Sequence, residues 1–156
     1  MNTIYTITLF FHSWNRWLIL LAGILVIASA IKGLNKKSGY SPFQRKWSVI
    51  FMSSLHLQLL VGILMYFFFS PVTALALSNF GAAMKDPMLR FWAMEHAFVN
   101  LVAIALAQTG SILVKRRTEA AAKHRLTLIW TSIAMFLILA MIPMGMMGVT
   151  RPLFRF

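Results

Sequence analysis

Four long apolar runs alternate with short polar breaks along the chain, at about residues 9–33, 47–70, 89–114 and 126–148. Each run has the roughly 20 residues that a helix needs to cross the hydrocarbon core of a bilayer. Because lipid offers the backbone no hydrogen-bond partner, apolar spans of this kind are helical. Short connections favour neighbouring helices that run in opposite directions. The pattern predicts an all-α integral membrane protein, an up-down-up-down four-helix transmembrane bundle that forms a single domain over residues 1–156.

Local signals support the first and third of these spans. Asp86 followed by Pro87 predicts the start of the third helix, since aspartate is a favoured N-cap and proline a favoured first helical residue. The first span has no positive charge ahead of it, and the polar stretch from His12 to Trp17 interrupts any early signal-peptide core. We therefore expect a retained first helix rather than a cleaved signal.

Composition narrows the chemistry that the chain can carry. Of its 156 residues 60% are hydrophobic and 12% are charged, and the mean hydropathy is +0.76. These values lie outside the range of soluble globular domains. The chain has no cysteine, which excludes disulfides, thiolate zinc sites, cysteine-ligated iron–sulfur clusters and covalently attached haem. Any chemistry is therefore carried by His, Met, Glu, Arg or the backbone.

The basic residues predict the orientation of the chain in a membrane. The net charge of +12 falls mostly into two loops, as in membrane proteins, so we expect no nucleic-acid partner. By the positive-inside rule both basic loops are cytoplasmic and both termini lie outside. The first loop carries Lys32, Lys36, Lys37, Arg45 and Lys46, the second Lys115, Arg116, Arg117, Lys123 and Arg125, and the opposite side Lys85, Arg90, Arg151 and Arg155.

Ionisable residues within the spans are the functional candidates, because they are costly in lipid and face the bundle interior or a cavity. They are His12 and Arg16 in the first span, His56 in the second, Glu95 and His96 in the third, and His124 at the cytoplasmic entrance of the fourth. At about 1.5 Å rise per residue, His12 and His96 reach similar levels on diagonal helices and can clamp one flat cofactor. His56 with His124 is a second pairing, although their levels differ by roughly 12 Å. His56 with His96 is a third alternative.

Haem fits these histidines best, since its iron accepts axial imidazoles and its macrocycle is apolar enough for a bundle core. The candidate iron ligands are His12, His56, His96 and, more weakly, His124. Arg16 follows His12 by one helical turn, which places both side chains on one helix face. We expect Arg16 to bind a haem propionate or to form an ion pair with Glu95.

Structural roles are the alternative to these assignments. A histidine in a span can simply hydrogen-bond a neighbouring helix, and His124 also fits a solvated loop residue. The same choice applies to four methionines at the outer end of the fourth span, Met141, Met144, Met146 and Met147. Thioethers bind Cu(I), but methionine also fills gaps in apolar packing. Pro143 with two nearby glycines is expected to loosen this helix end.

Three stretches resemble a known family: HSWNRW in the first span, HLQLLVGILMYF in the second and RFWAMEH in the third. They are similar to a group of small bacterial four-helix membrane proteins described as cytochrome b and, more loosely, to the b561-like haem bundles. The resemblance covers most of the chain and implies one or two haem b groups, with His12, His56 and His96 as the functional histidines. It implies electron transfer in the bacterial inner membrane, with a quinone or a periplasmic carrier as the redox partner.

No dehydrogenase, nucleotide-binding or hydrolytic motif accompanies these stretches. We therefore expect an electron-transfer protein, or a subunit of a larger respiratory complex, rather than a stand-alone enzyme. Two other functions stay open. One is a non-catalytic accessory subunit whose spans pack against partner helices. The other is a copper-handling protein that uses His12, His96 and the outer methionines.

Overall fold

The structure, a computed structural model, describes residues 3–145 and 148–154. Four helices are long and apolar enough to cross a membrane, and they comprise Thr3–Asn35, Pro42–Phe69, Pro87–Lys115 and Ala120–Ala140. No strand occurs in the described residues, where Met144 and Thr150 form an isolated antiparallel bridge. The prediction of an all-helical chain with four membrane-length helices is confirmed. We refer to these helices as the first, second, third and fourth long helix.

Two of the long helices contain a short π-helical segment. The elements in chain order are α1 Thr3–Asn35, α2 Pro42–Leu64, the π-helical segment Met65–Phe69, α3 Pro71–Ser78, α4 Phe80–Ala83, α5 Pro87–Arg90, the π-helical segment Phe91–Glu95, α6 His96–Lys115 and α7 Ala120–Ala140. The stretch between the second and third long helices, expected to be a break, thus contains two short helices, α3 and α4.

Three helices begin with the same device, a polar N-cap followed by proline. Ser41, Ser70 and Asp86 each accept a hydrogen bond from a backbone N–H in the first turn of the helix that follows. The next residue is proline, whose missing N–H costs nothing in the first turn. The predicted start of the third span at Asp86 and Pro87 is confirmed, with a distance of 2.8 Å from the Asp86 carboxylate to the Leu89 nitrogen.

The fourth long helix lies earlier in the chain than the predicted span of about residues 126–148. It begins at Ala120, because three consecutive alanines, the best helix formers, precede the basic residues that were assigned to a loop. It ends at Ala140, because Pro143 lacks a backbone donor and restricts the residue before it. The glycines that follow have positive φ angles, +93° at Gly145 and +72° at Gly148. Met146 and Met147, the end of the predicted span, lie outside the described residues.

Consecutive long helices run in opposite directions, as three contacts demonstrate. Asn15 bonds to Gln58, at a similar distance from the loop that joins their helices. The Tyr66 hydroxyl near the end of the second long helix bonds to Ala93 near the start of the third. His96 in the third bonds to Met141 just after the fourth. The first long helix packs against the second and the fourth, and the third packs closely against the fourth. Which loops face the cytoplasm stays a prediction.

Much of the outer surface of the bundle is apolar, like its centre. The centre contains Ile19, Leu55, Ala103 and Ala134, all nearly inaccessible. Large apolar side chains also cover the outside, with Phe68 72% exposed and Phe136 71% exposed. Helices that are hydrophobic on all sides are typical of membrane spans, so the exposed surface fits a lipid bilayer.

Candidate functional site

A cavity of about 470 Å³ lies at one end of the bundle, and all four long helices and the C-terminal tail line it. This volume falls within the range of about 300–1,000 Å³ for small-molecule and cofactor sites. Most of the lining is apolar, and the side chains that carry nitrogen-containing groups are His12, Arg16, Gln58, Trp92, His96, Asn100 and Arg151. No Asp or Glu of residues 3–145 and 148–154 lines it. The cavity therefore suits an apolar ligand that carries negative charge.

His12 and His96 face each other in this cavity. Their ring centroids are 6.3 Å apart and the ring planes are inclined by 52°. A metal ion between two imidazoles, about 2 Å from each ligating nitrogen, separates the two ring centroids by a similar distance of about 6 Å. The spacing of the two rings thus fits a pair of axial ligands on one metal centre.

Hydrogen bonding orients His96 for such a role. Its Nδ1 lies 3.0 Å from the Met141 carbonyl oxygen, and because that oxygen only accepts, Nδ1 carries the proton and donates. The lone pair is then on Nε2, the nitrogen left for a metal. A carbonyl partner on the second ring nitrogen is a common feature of histidines that bind metals. Nδ1 of His12 is buried and finds no hydrogen-bond partner among the described residues.

The π-helical segment Phe91–Glu95 comes immediately before His96. The backbone N–H of His96 bonds to the Phe91 carbonyl, one residue further back than in an α-helix. Such π-bulges occur frequently at functional sites. The Tyr66 hydroxyl donates to the Ala93 carbonyl at 2.6 Å and ties the segment to the second long helix. Phe91 and Trp92 pack against the His96 ring, with centroid distances of 5.7 Å and 5.3 Å.

A polar network fixes the backbone at His12. The Gln58 side-chain amide donates to the His12 carbonyl at 3.0 Å. Asn15 donates to the Gln58 side-chain oxygen at 2.8 Å and also to the Ser54 carbonyl at 2.8 Å. Each bond joins the first long helix to the second. Gln58 therefore holds the helix that carries His12.

Arg16 lies in the cavity lining one turn after His12 and contacts the C-terminal tail. Its guanidinium donates to the Leu153 carbonyl, and the Trp17 indole donates to the same oxygen at 3.3 Å. The Phe154 ring stacks on Trp17 with a centroid distance of 4.9 Å. These contacts hold the tail against the first long helix. A propionate role for Arg16 stays a prediction.

The expected ion pair between Arg16 and Glu95 does not form. Glu95 instead accepts a hydrogen bond from Arg90 at 2.7 Å. The π-helical segment explains this pairing, because its wider turn brings Arg90 and Glu95, five residues apart, to one face of the helix. This pair is partly exposed, with Arg90 at 43% and Glu95 at 25%, so it contributes little stability.

The other two candidate histidines are outside the cavity. His56 lies on the exposed face of α2, and the structure places it with neither His96 nor His124. His124 lies at the opposite end of the bundle and is 1% exposed, so the expectation of a solvated loop residue is wrong. Its ring packs on Gly33, where any Cβ would overlap it, and its Nε2 donates to the Ser38 carbonyl at 3.0 Å. This end of the fourth long helix is therefore packed against the first.

The two outer methionines that the structure describes take different positions. Met141 lines the cavity, while Met144 is 48% exposed on the tail hairpin. Met146 and Met147 lie outside the described residues. In the part of the chain that the structure describes, no group of three or more His, Cys, Asp or Glu side chains is placed to hold a metal ion.

Sequence reasoning missed Arg151 as a cavity residue. Its guanidinium lies over the Trp92 ring, 5.4 Å from the centroid. From the sequence alone, Arg151 is simply one of two basic residues near the C-terminus. Pro143, Gly145 and Gly148 indicate a turn before Arg151, but they do not indicate which helices the following residues contact.

Comparisons with protein-family models, with curated proteins and with solved structures find no match for this chain. The resemblance to small membrane cytochromes therefore stays a prediction, and the function is argued below from the geometry of the cavity.

Proposed function

We propose that this chain is a membrane b-type cytochrome that binds one haem b between His12 and His96 and transfers electrons. One observation carries the proposal: two imidazoles on diagonal helices face each other across an apolar cavity with their ring centroids 6.3 Å apart. The hydrogen bond from His96 Nδ1 to the Met141 carbonyl, which leaves Nε2 as the ligating nitrogen, supports it further.

Haem matches the donor set better than a bare metal ion does. Protein sites for zinc use three or four side-chain ligands, whereas the cavity supplies two imidazoles and no carboxylate or thiolate of the described residues. Two axial ligands are sufficient for haem, because the macrocycle itself provides the remaining four nitrogens. The mostly apolar lining suits the body of the macrocycle.

The residues that line the cavity would hold the haem and orient its two imidazole ligands. Haem, when bound, supplies the one-electron chemistry of its iron. The hydrogen bond to the Met141 carbonyl would fix the His96 ring and leave Nε2 for the iron. The Asn15 and Gln58 network holds His12 in position. Because both imidazoles would hold the haem iron, this arrangement would suit an electron carrier better than a stand-alone enzyme.

The positions of His56 and His124 favour one haem rather than two. His56 is on the exposed face of its helix. His124 already bonds to Ser38 at the far end of the bundle. Neither lines the cavity that contains His12 and His96.

The shape of the cavity favours a redox partner inside the membrane. Five exposed lining residues lie in the second and third long helices, namely Ile63, Phe67, Met94, Phe98 and Leu101, and the tail residue Pro152 is also exposed. The cavity thus opens sideways, toward the surface that lipid covers. We infer that a quinone or the helix of a partner subunit exchanges electrons here, rather than a water-soluble carrier. The two basic loops favour a bacterial inner membrane with both termini in the periplasm.

The test is a reduced-minus-oxidised visible spectrum of the protein purified in detergent from haem-replete cells, with a pyridine haemochrome assay. We expect a b-type α band and one haem per chain. No haem in such a preparation would overturn the proposal and leave the accessory-subunit alternative. Copper in place of haem would support the copper-handling alternative, although Met144 is exposed outside the cavity.

A further inference from the structure

Two hydrogen-bond donors in the cavity lining stand next to each other without an acceptor. The indole Nε1 of Trp92 is inaccessible and has no hydrogen-bond partner among the described residues. The Arg151 guanidinium lies over the same indole, 5.4 Å from the ring centroid, and donates no hydrogen bond within residues 3–145 and 148–154. An inaccessible N–H group without an acceptor costs about 1–3 kcal/mol, so an acceptor from a ligand would be favourable here.

The chain positions Arg151 firmly at this point. Its backbone N–H donates to the Pro143 carbonyl at 3.0 Å, which folds the tail against the end of the fourth long helix. Arg16 and Trp17 hold the Leu153 carbonyl two residues later. The tail is thus fixed on both sides of Arg151, and its side chain borders the cavity rather than extending away from the bundle.

The two donors are close to the proposed haem ligand. The Trp92 ring lies beside both the His96 ring, with centroids 5.3 Å apart, and the Arg151 guanidinium, 5.4 Å from its centroid. A ligand held at His96 therefore reaches Arg151 over the width of about one indole ring. Arg151 is partly buried, and a carboxylate gives a guanidinium stronger hydrogen bonds than a neutral acceptor does.

We propose that Arg151 and Trp92 form a carboxylate subsite of the cavity, which binds one propionate of the haem. This inference rests on the proposed function. Guanidinium presents paired N–H groups that match the two oxygens of a carboxylate, and the indole N–H adds a third donor. The C-terminal tail then acts as a strap that holds the cofactor, in addition to the two imidazoles.

The experiment compares haem with haem dimethyl ester, in which both propionates are neutral. The full-length protein is purified without haem from haem-deficient cells, loaded with either form, and its loss of ligand to apomyoglobin is followed in detergent. We expect Arg151→Gln to speed the loss of haem about ten-fold, the effect of removing one charge-assisted hydrogen bond, and to leave the loss of the dimethyl ester unchanged. Trp92→Phe, which keeps an aromatic ring beside His96, has a smaller effect of the same kind.

Arg117→Gln is the matched control, since it removes the same charge from the opposite end of the bundle and has no effect on either form. Equal acceleration for haem and its ester in Arg151→Gln means that Arg151 only packs the tail, and this overturns the inference. No acceleration for either overturns it as well, while the proposed function stands. If the wild-type protein binds neither form, both the inference and the proposed function are wrong.

Discussion

His12 and His96 lie with their ring centroids 6.3 Å apart, although they belong to helices that are not neighbours in the bundle. No hydrogen bond joins the two rings in the described residues, so the helices that carry them set their separation. The network of Gln58 and Asn15 fixes one helix, and the Met141 carbonyl fixes the ring on the other. Two rings held apart in this way leave space for a metal centre between them.

We expect His12→Ala and His96→Ala each to reduce the amount of haem bound per chain about ten-fold or more, because each change removes a proposed iron ligand. Even residues that only hydrogen-bond a metal ligand change metal affinity by about 10–100-fold. The haem per chain is measured by pyridine haemochrome in detergent-purified protein. The remaining haem should also lose the spectrum of iron with two imidazole ligands.

His56→Ala is the control for this prediction, since His56 is a histidine of the second long helix with an exposed side chain. It should retain one haem per chain and an unchanged spectrum. A loss of haem in His56→Ala as large as that in His12→Ala would contradict the assignment of the ligand pair.

The lengths of the apolar runs were sufficient to predict the four long helices, because the need to satisfy the backbone in lipid acts on each segment by itself. The cap at Asp86 and Pro87 is likewise local. The similar depth of His12 and His96 follows from the rise per residue of a helix. These features depend on residues that are near each other in the sequence.

The rotation of each helix could not be predicted in the same way. Because the helices are apolar on all sides, the pattern does not indicate that His56 faces outward while Ser54, two residues earlier, is buried. The π-helical segment before His96 has no signal in the sequence, and it determines that Glu95 pairs with Arg90. The path of the tail depends on contacts between Leu153 and Arg16, which are far apart in the chain.

Gln58→Leu should destabilise the protein by about 1–3 kcal/mol, because it leaves the Asn15 amide without one of its two acceptors and removes the donor to the His12 carbonyl. The side chains are similar in size, so the change is mainly in hydrogen bonding. Thermal unfolding in detergent measures the loss as a lower midpoint. Gln108→Leu is the matched control, since the Gln108 side chain makes no hydrogen bond to another described residue, and its midpoint should be unchanged.

Two glycines at helix contacts should respond differently to alanine. A Cβ at Gly110 would overlap Cβ and Cγ of Trp130, which cannot move without a shift of the fourth long helix, whereas a Cβ at Gly23 would meet the flexible end of Met135. Overpacking costs about 1–3 kcal/mol, and the higher helix propensity of alanine returns up to about 1 kcal/mol. We expect Gly110→Ala to lower the thermal midpoint and Gly23→Ala to be close to neutral.

The control for the glycine pair is Gly39→Ala, where a Cβ would meet nothing within 4 Å. Its unfolding midpoint should match that of the unchanged protein. Equal destabilisation by Gly110→Ala and Gly23→Ala would mean that Met135 does not move aside, and an unchanged midpoint for Gly110→Ala would mean that the contact between α6 and α7 is loose.

The orientation of the bundle can be tested with single cysteines, because the chain has none of its own. Gly39 lies in the loop next to Lys36 and Lys37, and Gly81 lies in α4 at the end of the bundle that contains the cavity. Both positions have room for a side chain, with only the Asn79 side chain at 4.0 Å from a Cβ at Gly81. By the positive-inside rule the basic loop is cytoplasmic. A membrane-impermeant maleimide should therefore label Gly81→Cys in intact spheroplasts and Gly39→Cys only after permeabilisation.

This pattern of labelling would place the cavity in the periplasmic half of the membrane, because α4 and the cavity lie at the same end of the bundle. A haem bound there would exchange electrons with quinol near the outer face. Labelling of Gly39→Cys in intact spheroplasts, with Gly81→Cys protected, would reverse the topology and place the cavity near the cytoplasm. The histidine pair would be unaffected by that result, since its geometry depends only on contacts within the bundle.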